Sequence, residues 1–158
     1  MGDINKAVEW ALNIANDPAH GYDQEHRNGP NYDCSSFVST ALNLAGFKIS
    51  PYSWTGNMVP QLLADGWVKK DINAPREKGD IFIHTGHHVI MCVDSTRIVQ
   101  ASINEKGTIT GGKSGDQTGS EIYVCNFYTP GYGWEYHLSA PHASYEDNPS
   151  RDTFTIVW

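Results

Sequence analysis

The sequence has no run of Lys or Arg, no apolar stretch of about 18 residues, and only three cysteines among 158 residues. The first absence removes the phosphate-tracking stripe of a nucleic-acid binder, and a net charge of −7 with a pI near 5.3 points the same way. The second excludes a membrane-spanning helix. The N-terminus also lacks a basic segment followed by an apolar one, so no membrane partner and no signal peptide is expected, and the chain reads as cytosolic, soluble and monomeric. Cys34, Cys92 and Cys125 cannot all pair with one another. Their spacing fits neither a disulfide framework nor a paired C-x-x-C zinc site, so at least one thiol is expected to be free.

Apolar residues make up 39% and charged residues 18%, with Gly, Trp and Tyr plentiful, which indicates a folded, loop-rich globular chain. The length suits one domain with its own core. Ile4, Ala7, Val8, Ala11, Leu12 and Ala15 fall on one stripe at three- and four-residue spacing behind Asp3, which predicts an amphipathic helix over residues 3–16. Residues 17–33 show no apolar period and read as a long connecting loop. Phe37, Val38, Ala41, Leu42 and Leu44 predict a second helix from Asp33 to Ala45, with Asp33 as N-cap and Gly46 just past the end.

A short helix around Met58–Ala64 precedes five predicted strands: Asp80–His84, His88–Asp94, Ile98–Ser102, Glu121–Asn126 and Trp134–Leu138. Helices first and strands after argue for an α+β fold, with the N-terminal helices packed on a central antiparallel β-sheet. The Gly- and Ser-rich residues 111–120 read as an exposed hairpin loop. Residues 139–158 read as a linker or C-terminal tail, in which Phe154–Trp158 is a candidate edge strand.

The predicted second helix places Cys34 in its first turn, where free N–H groups and the positive end of the helix dipole stabilise a thiolate. The same N–H groups can receive the oxyanion formed when a thiolate attacks an amide carbonyl. Among seven histidines, His87 and His88 open a predicted strand, and a neutral imidazole held there can take a thiol proton. No H-E-x-x-H or regular Cys/His pairing is present, so no metal is expected and His20, His26, His84, His137 and His142 read as solvated. Trp54, Trp67, Trp134 and Tyr132 are candidates either for core packing or for a sugar-binding groove.

Tyr32-Asp33-Cys34-Ser35-Ser36-Phe37-Val38, with Arg27-Asn28-Gly29-Pro30 upstream, resembles the nucleophile segment of NlpC-type papain-like cell-wall hydrolases, closest to their bacteriophage lysin branch. Lys78-Gly79-Asp80-Ile81-Phe82-Ile83 and Gly86-His87-His88-Val89-Ile90-Met91 resemble the strand before the family's catalytic histidine and the histidine strand itself. The resemblance spans roughly residues 3 to 138 and implies a papain-like catalytic domain over 1–138.

It implies Cys34 as nucleophile and His88, ahead of His87, as base. Gln100 is the residue that orients the imidazole where many relatives have His, with Asn104 as the alternative. Tyr22, Asp33 and Ser35 are the implied oxyanion and substrate contacts. The implied activity is cofactor-free hydrolysis of a peptidoglycan amide, either as a stem-peptide endopeptidase or as an N-acetylmuramoyl-L-alanine amidase. A lysin would wait in the cytoplasm of the host cell until lysis. A zinc-dependent wall amidase and a non-catalytic wall-binding domain are the competing readings.

Overall fold

The computed structural model describes residues 2–141. Helix α1 (Ile4–Ala15) starts at Asp3, whose carboxylate accepts from the N–H groups of Asn5 and Lys6. Helix α2 (Cys34–Leu44) starts at Asp33 and ends where Gly46 takes a positive φ. Helix α3 (Thr55–Ala64) begins three residues earlier than the apolar pattern predicts, because Trp54 N–H donates to Asn57 Oδ1 and sets its first turn.

Strands β1 (Val68–Lys70), β2 (Ile81–His84), β3 (His88–Cys92), β4 (Arg97–Ala101), β5 (Ile122–Asn126) and β6 (Tyr136–Ser139) form one six-stranded sheet in the order β1-β6-β2-β3-β4-β5. Every pairing is antiparallel. The α+β expectation holds, helices first and antiparallel sheet after. β1 was not predicted; its three residues are too few to show alternation. The candidate strand at Phe154–Trp158 and the tail containing His142 lie outside the described residues.

Strand alternation sorts the core into two layers. Ile81, Ile83, Val89, Met91, Val99 and Leu138 pack against the apolar faces of α1 and α2. On the other face Phe82, Ile90, Cys92, Ile98 and Trp134 make a second cluster with Phe127. His88 and Gln100 have the parity of Ile90 and Ile98, so they belong to this second face, at its end next to the β2–β3 turn. Trp67 and Trp134 are core residues. His137 is fully buried and not solvated: Nε2 lies 2.6 Å from Asp80 Oδ2, Nδ1 meets the Asp71 carbonyl, and the ring stacks on Phe82.

The long loop before α2 is anchored along its length. Tyr22 and Tyr32 form a parallel bridge, and the buried Glu121 carboxylate accepts from the N–H groups of Tyr22 and Gln117. Asn31 Oδ1 accepts from Gly21 and Gly115, while Asp116 N–H donates to the Pro18 carbonyl. Residues 111–120, expected as an exposed hairpin loop, are therefore in part packed against the 18–31 segment. Polar side chains satisfy the backbone of both loops, an arrangement that carries no apolar period.

Candidate active site

Asp33 is in extended backbone, and its carboxylate accepts from Ser36 N–H at 2.8 Å, while Ser36 Oγ accepts from Asp33 N–H. This reciprocal capping box fixes where α2 begins. It engages the N–H groups of Asp33 and Ser36; those of Cys34 and Ser35 stand beside the thiol. Cys34 is buried at the first helical position, under the end of the sheet.

Arg27 clamps this helix start. Its Nε donates to Asp33 Oδ2 at 2.8 Å, Nη2 donates to Ser35 Oγ at 3.0 Å and to the Ser53 carbonyl, and Nη1 donates to the Tyr52 carbonyl. Ser35 Oγ in turn donates to Asp33 Oδ1. One guanidinium therefore ties the loop at 52–53 to the helix that carries Cys34. Asp33 and Ser35, expected as oxyanion or substrate contacts, line the cleft but spend their polar atoms on this clamp.

Burial pushes the Cys34 thiol up to about 12, and the neighbouring Asp33 charge pushes the same way. The N–H groups of Val89 and Ser35 and the Arg27 charge oppose it. Val89 is the residue after His88, so its N–H brings the start of β3 against the sulfur. The Tyr22 phenol is buried and kept protonated by burial first, then by the charge that a Cys34 thiolate carries and by that of Asp33. It is within electrostatic reach of the thiol and hydrogen-bonds the Gln24 side chain.

His88 is buried, and burial holds its imidazole below the ordinary value, which keeps it neutral. Its Nε2 lies 2.7 Å from Gln100 Oε1. Gln100 is fixed from two more directions: Tyr128 Oη donates to the same Oε1 at 2.8 Å, and Gln100 Nε2 donates to Tyr123 Oη at 2.9 Å. Because an amide oxygen only accepts, the His88 proton is on Nε2 and Nδ1 keeps its lone pair. The Trp134 ring stacks against His88, with centroids 6.2 Å apart.

The β2–β3 turn that carries both histidines is held by two backbone donors: Thr85 N–H to Glu135 Oε1, and Gly86 N–H to Thr55 Oγ1 at 2.9 Å. Gly86 has φ of 82°, a left-handed conformation that a residue with Cβ adopts only under strain. His87 points outward and stacks on Tyr132. It also lines a cleft of about 350 Å³ together with Gln24, Arg27, Cys34, Trp54 and Thr55.

The structure thus joins His88 to Gln100, joins Cys34 to Arg27, Asp33 and Ser35, and links the two groups through Val89. Asn104, the alternative orienter, is instead buried inside its own loop, where its Oδ1 accepts from Lys106 and Thr108. Among the described residues, no three His, Cys, Asp or Glu side chains are grouped to hold a metal ion, and no helix is long and apolar enough to cross a membrane.

Residues 98–150 match the family model described as the endolysin-like domain. That segment is less than half of the chain; it contains Gln100, Tyr128, Tyr132 and Trp134 and follows both Cys34 and His88. No curated protein matches the chain. Among solved structures, a chain of the type VI native effector–immunity complex Tae3–Tai3 from Ralstonia pickettii is similar, with a TM-score of 0.46 and 14% identity over 85% of this chain and 98% of that one.

Proposed function

We propose that the protein is a cysteine-dependent peptidoglycan hydrolase in which Cys34 is the nucleophile, His88 the general base and Gln100 the residue that orients the imidazole. The carrying observation is the contact of Val89 N–H with the Cys34 sulfur, next to a His88 whose Nε2 is held by Gln100. The endolysin-like match of residues 98–150 and the resemblance of the Cys34 and His88 segments to NlpC-type enzymes support the substrate. The helix-borne Cys, strand-borne His and polar residue on the next strand follow the order of papain-like hydrolases.

The resting pair is a neutral thiol and a neutral imidazole. On attack, Cys34 Sγ forms a bond to the amide carbonyl carbon while its proton passes to Nδ1 of His88. The Gln100 carbonyl stabilises the resulting imidazolium through Nε2–H. The oxyanion is received by the N–H groups at the start of α2 and by the Tyr22 hydroxyl. The C–N bond then breaks, the amine leaves with the proton from His88, and an acyl group remains on sulfur. Water, losing a proton to His88, hydrolyses the thioester and restores the thiol. No redox partner is involved. On the same reading the enzyme is held in the cytoplasm of the producing cell and meets the wall at lysis.

The test is clearing of a panel of purified Gram-positive walls by the protein and by Cys34→Ala, with and without a chelator. Clearing that needs Cys34 and survives chelation is expected. Equal clearing by both proteins, or loss of activity with the chelator alone, overturns the cysteine mechanism. Binding without release of soluble fragments overturns the hydrolase reading.

A further inference from the structure

The cleft beside Cys34 contains two charged residues that already satisfy each other. Arg27 and Asp33 are paired, and the remaining Arg27 donors go to Ser35 and to two carbonyls, so neither offers a free charge for a stem-peptide carboxylate or amine. What the cleft presents instead is aromatic surface. Trp54, 54% exposed, and His87 both line it, and the His87 ring is stacked on Tyr132 at a centroid distance of 4.5 Å. Tyr132 is itself 44% exposed, and its phenol is close enough to feel the charge of a Cys34 thiolate.

The exposed Trp54 indole lies against its own chain. A Cβ built on Gly56 falls 2.0 Å from Cη2 and 2.3 and 2.4 Å from the two ring atoms beside it. Near-equal distances to three adjacent atoms mean that the indole face, not its edge, lies on the Gly56 backbone. The other face is left open. The Thr55–Gly86 hydrogen bond ties the segment that carries Trp54 to the turn that carries His87, so the two are set relative to each other before any ligand arrives. His84 meets both His87 and Tyr132 edge-on and supports their stack.

Exposed aromatic surface along a cleft whose Arg27 and Asp33 are paired suits a neutral ligand that has a flat C–H face: a pyranose ring. Its axial hydrogens meet the negative ring face and its rim hydroxyls stay in water. We propose that Trp54 and the His87–Tyr132 stack form a sugar-binding subsite beside Cys34. The bond cut is then the amide that joins the sugar's lactyl carbonyl to the first stem-peptide residue. This rests on the hydrolase reading above and selects the amidase alternative within it. The lactyl acyl group is carried on Cys34 Sγ, and the α-amine of the first stem residue leaves with the proton from His88.

The test compares disaccharide-peptide fragments of peptidoglycan with the same stem peptides stripped of sugar, products being assigned by mass. Release of lactyl disaccharide and intact stem peptide from the first, and no cleavage of the second, is expected. Trp54→Ala and Tyr132→Ala should each raise KM on the sugar-bearing substrate by roughly three- to tenfold with little change in kcat. Gly56→Ala, which displaces the indole, should move KM in the same direction.

Cleavage of the bare peptides at a similar rate, cleavage inside the stem, or unchanged KM in both aromatic variants overturns the subsite and leaves the hydrolase reading intact. If whole walls and both soluble substrates are untouched, the hydrolase reading fails and the subsite falls with it.

Discussion

Gln100 Oε1 is a shared acceptor for His88 Nε2 at 2.7 Å and for Tyr128 Oη at 2.8 Å. The glutamine amide is held from its other end by Tyr123, so the imidazole is oriented by a side chain that cannot itself rotate freely. The bond to Gln100 favours the imidazolium, against the stronger effect of burial, which disfavours it.

The pH profile follows from that balance. In the proposed mechanism His88 must be neutral to accept the thiol proton, and burial depresses its value below 6.5, so the acid limb of kcat/KM should lie below pH 6.5. Gln100→Ala removes the contact that favours the charged form and should shift the limb further to acid, while kcat falls about tenfold to a hundredfold because the ring is no longer oriented. Gln100→Glu should shift it the other way, since a carboxylate holds the imidazolium. A limb unmoved in both variants would mean that Gln100 does not act through His88.

His87 and His88 should separate kinetically. His88→Ala should lower kcat by about a hundredfold or more, the usual contribution of a positioned base. His87→Ala should leave kcat near its starting value and raise KM, because His87 lines the cleft and stacks on Tyr132. Steady-state kinetics on a soluble fragment read the split, and the opposite pattern would reassign the base.

The start of α2 was legible because its signals are local: a capping Asp, an apolar period and a Gly past the end all fall within fourteen residues, Asp33 to Gly46. His88 and Gln100 were legible through motif resemblance. The partners that hold them were not. Tyr123 reaches Gln100 across the β4–β5 register and Tyr128 from just past the end of β5, and both depend on a long intervening loop whose path no residue pattern reveals. Arg27 was visible only as part of the motif upstream of Cys34, because its clamp depends on the fold bringing the Tyr52 and Ser53 carbonyls to it. His137 was read as solvated since a lone strand histidine carries no sign of a buried acceptor 57 residues away.

Arg27 should govern the reactivity of Cys34 and the stability of the cleft wall separately. Arg27→Met leaves the Asp33 charge unopposed beside the thiol, so alkylation of Cys34 at fixed pH, followed by peptide mass, should slow. Breaking this largely buried pair should also cost about 2–4 kcal/mol of stability. Arg27→Lys keeps the charge but loses the fork that spans Asp33, Ser35 and two carbonyls. It should restore most of the thiol reactivity and little of the stability. Equal behaviour of both variants would argue that the effect on Cys34 is structural and not electrostatic.

The buried cluster around Asp80 predicts a stability effect without a catalytic one. Asp80 accepts from Ser139 Oγ at 2.6 Å and lies 2.6 Å from His137 Nε2, with all three side chains almost completely out of solvent. Both partners are on β6, the strand between the edge strand β1 and β2, so one carboxylate ties β6 to the start of β2. Asp80→Ala strands two buried polar groups and should cost about 3–5 kcal/mol, read as a lower denaturant midpoint at unchanged slope. Asp80→Asn keeps the shape and one acceptor and should lose less. Amide exchange should quicken first in β1 and β6, while kcat/KM of the folded fraction holds, because none of these residues lines the Cys34 cleft. A loss below about 1 kcal/mol would mean that the surrounding packing, including the Phe82 stack on His137, holds β6 without the carboxylate.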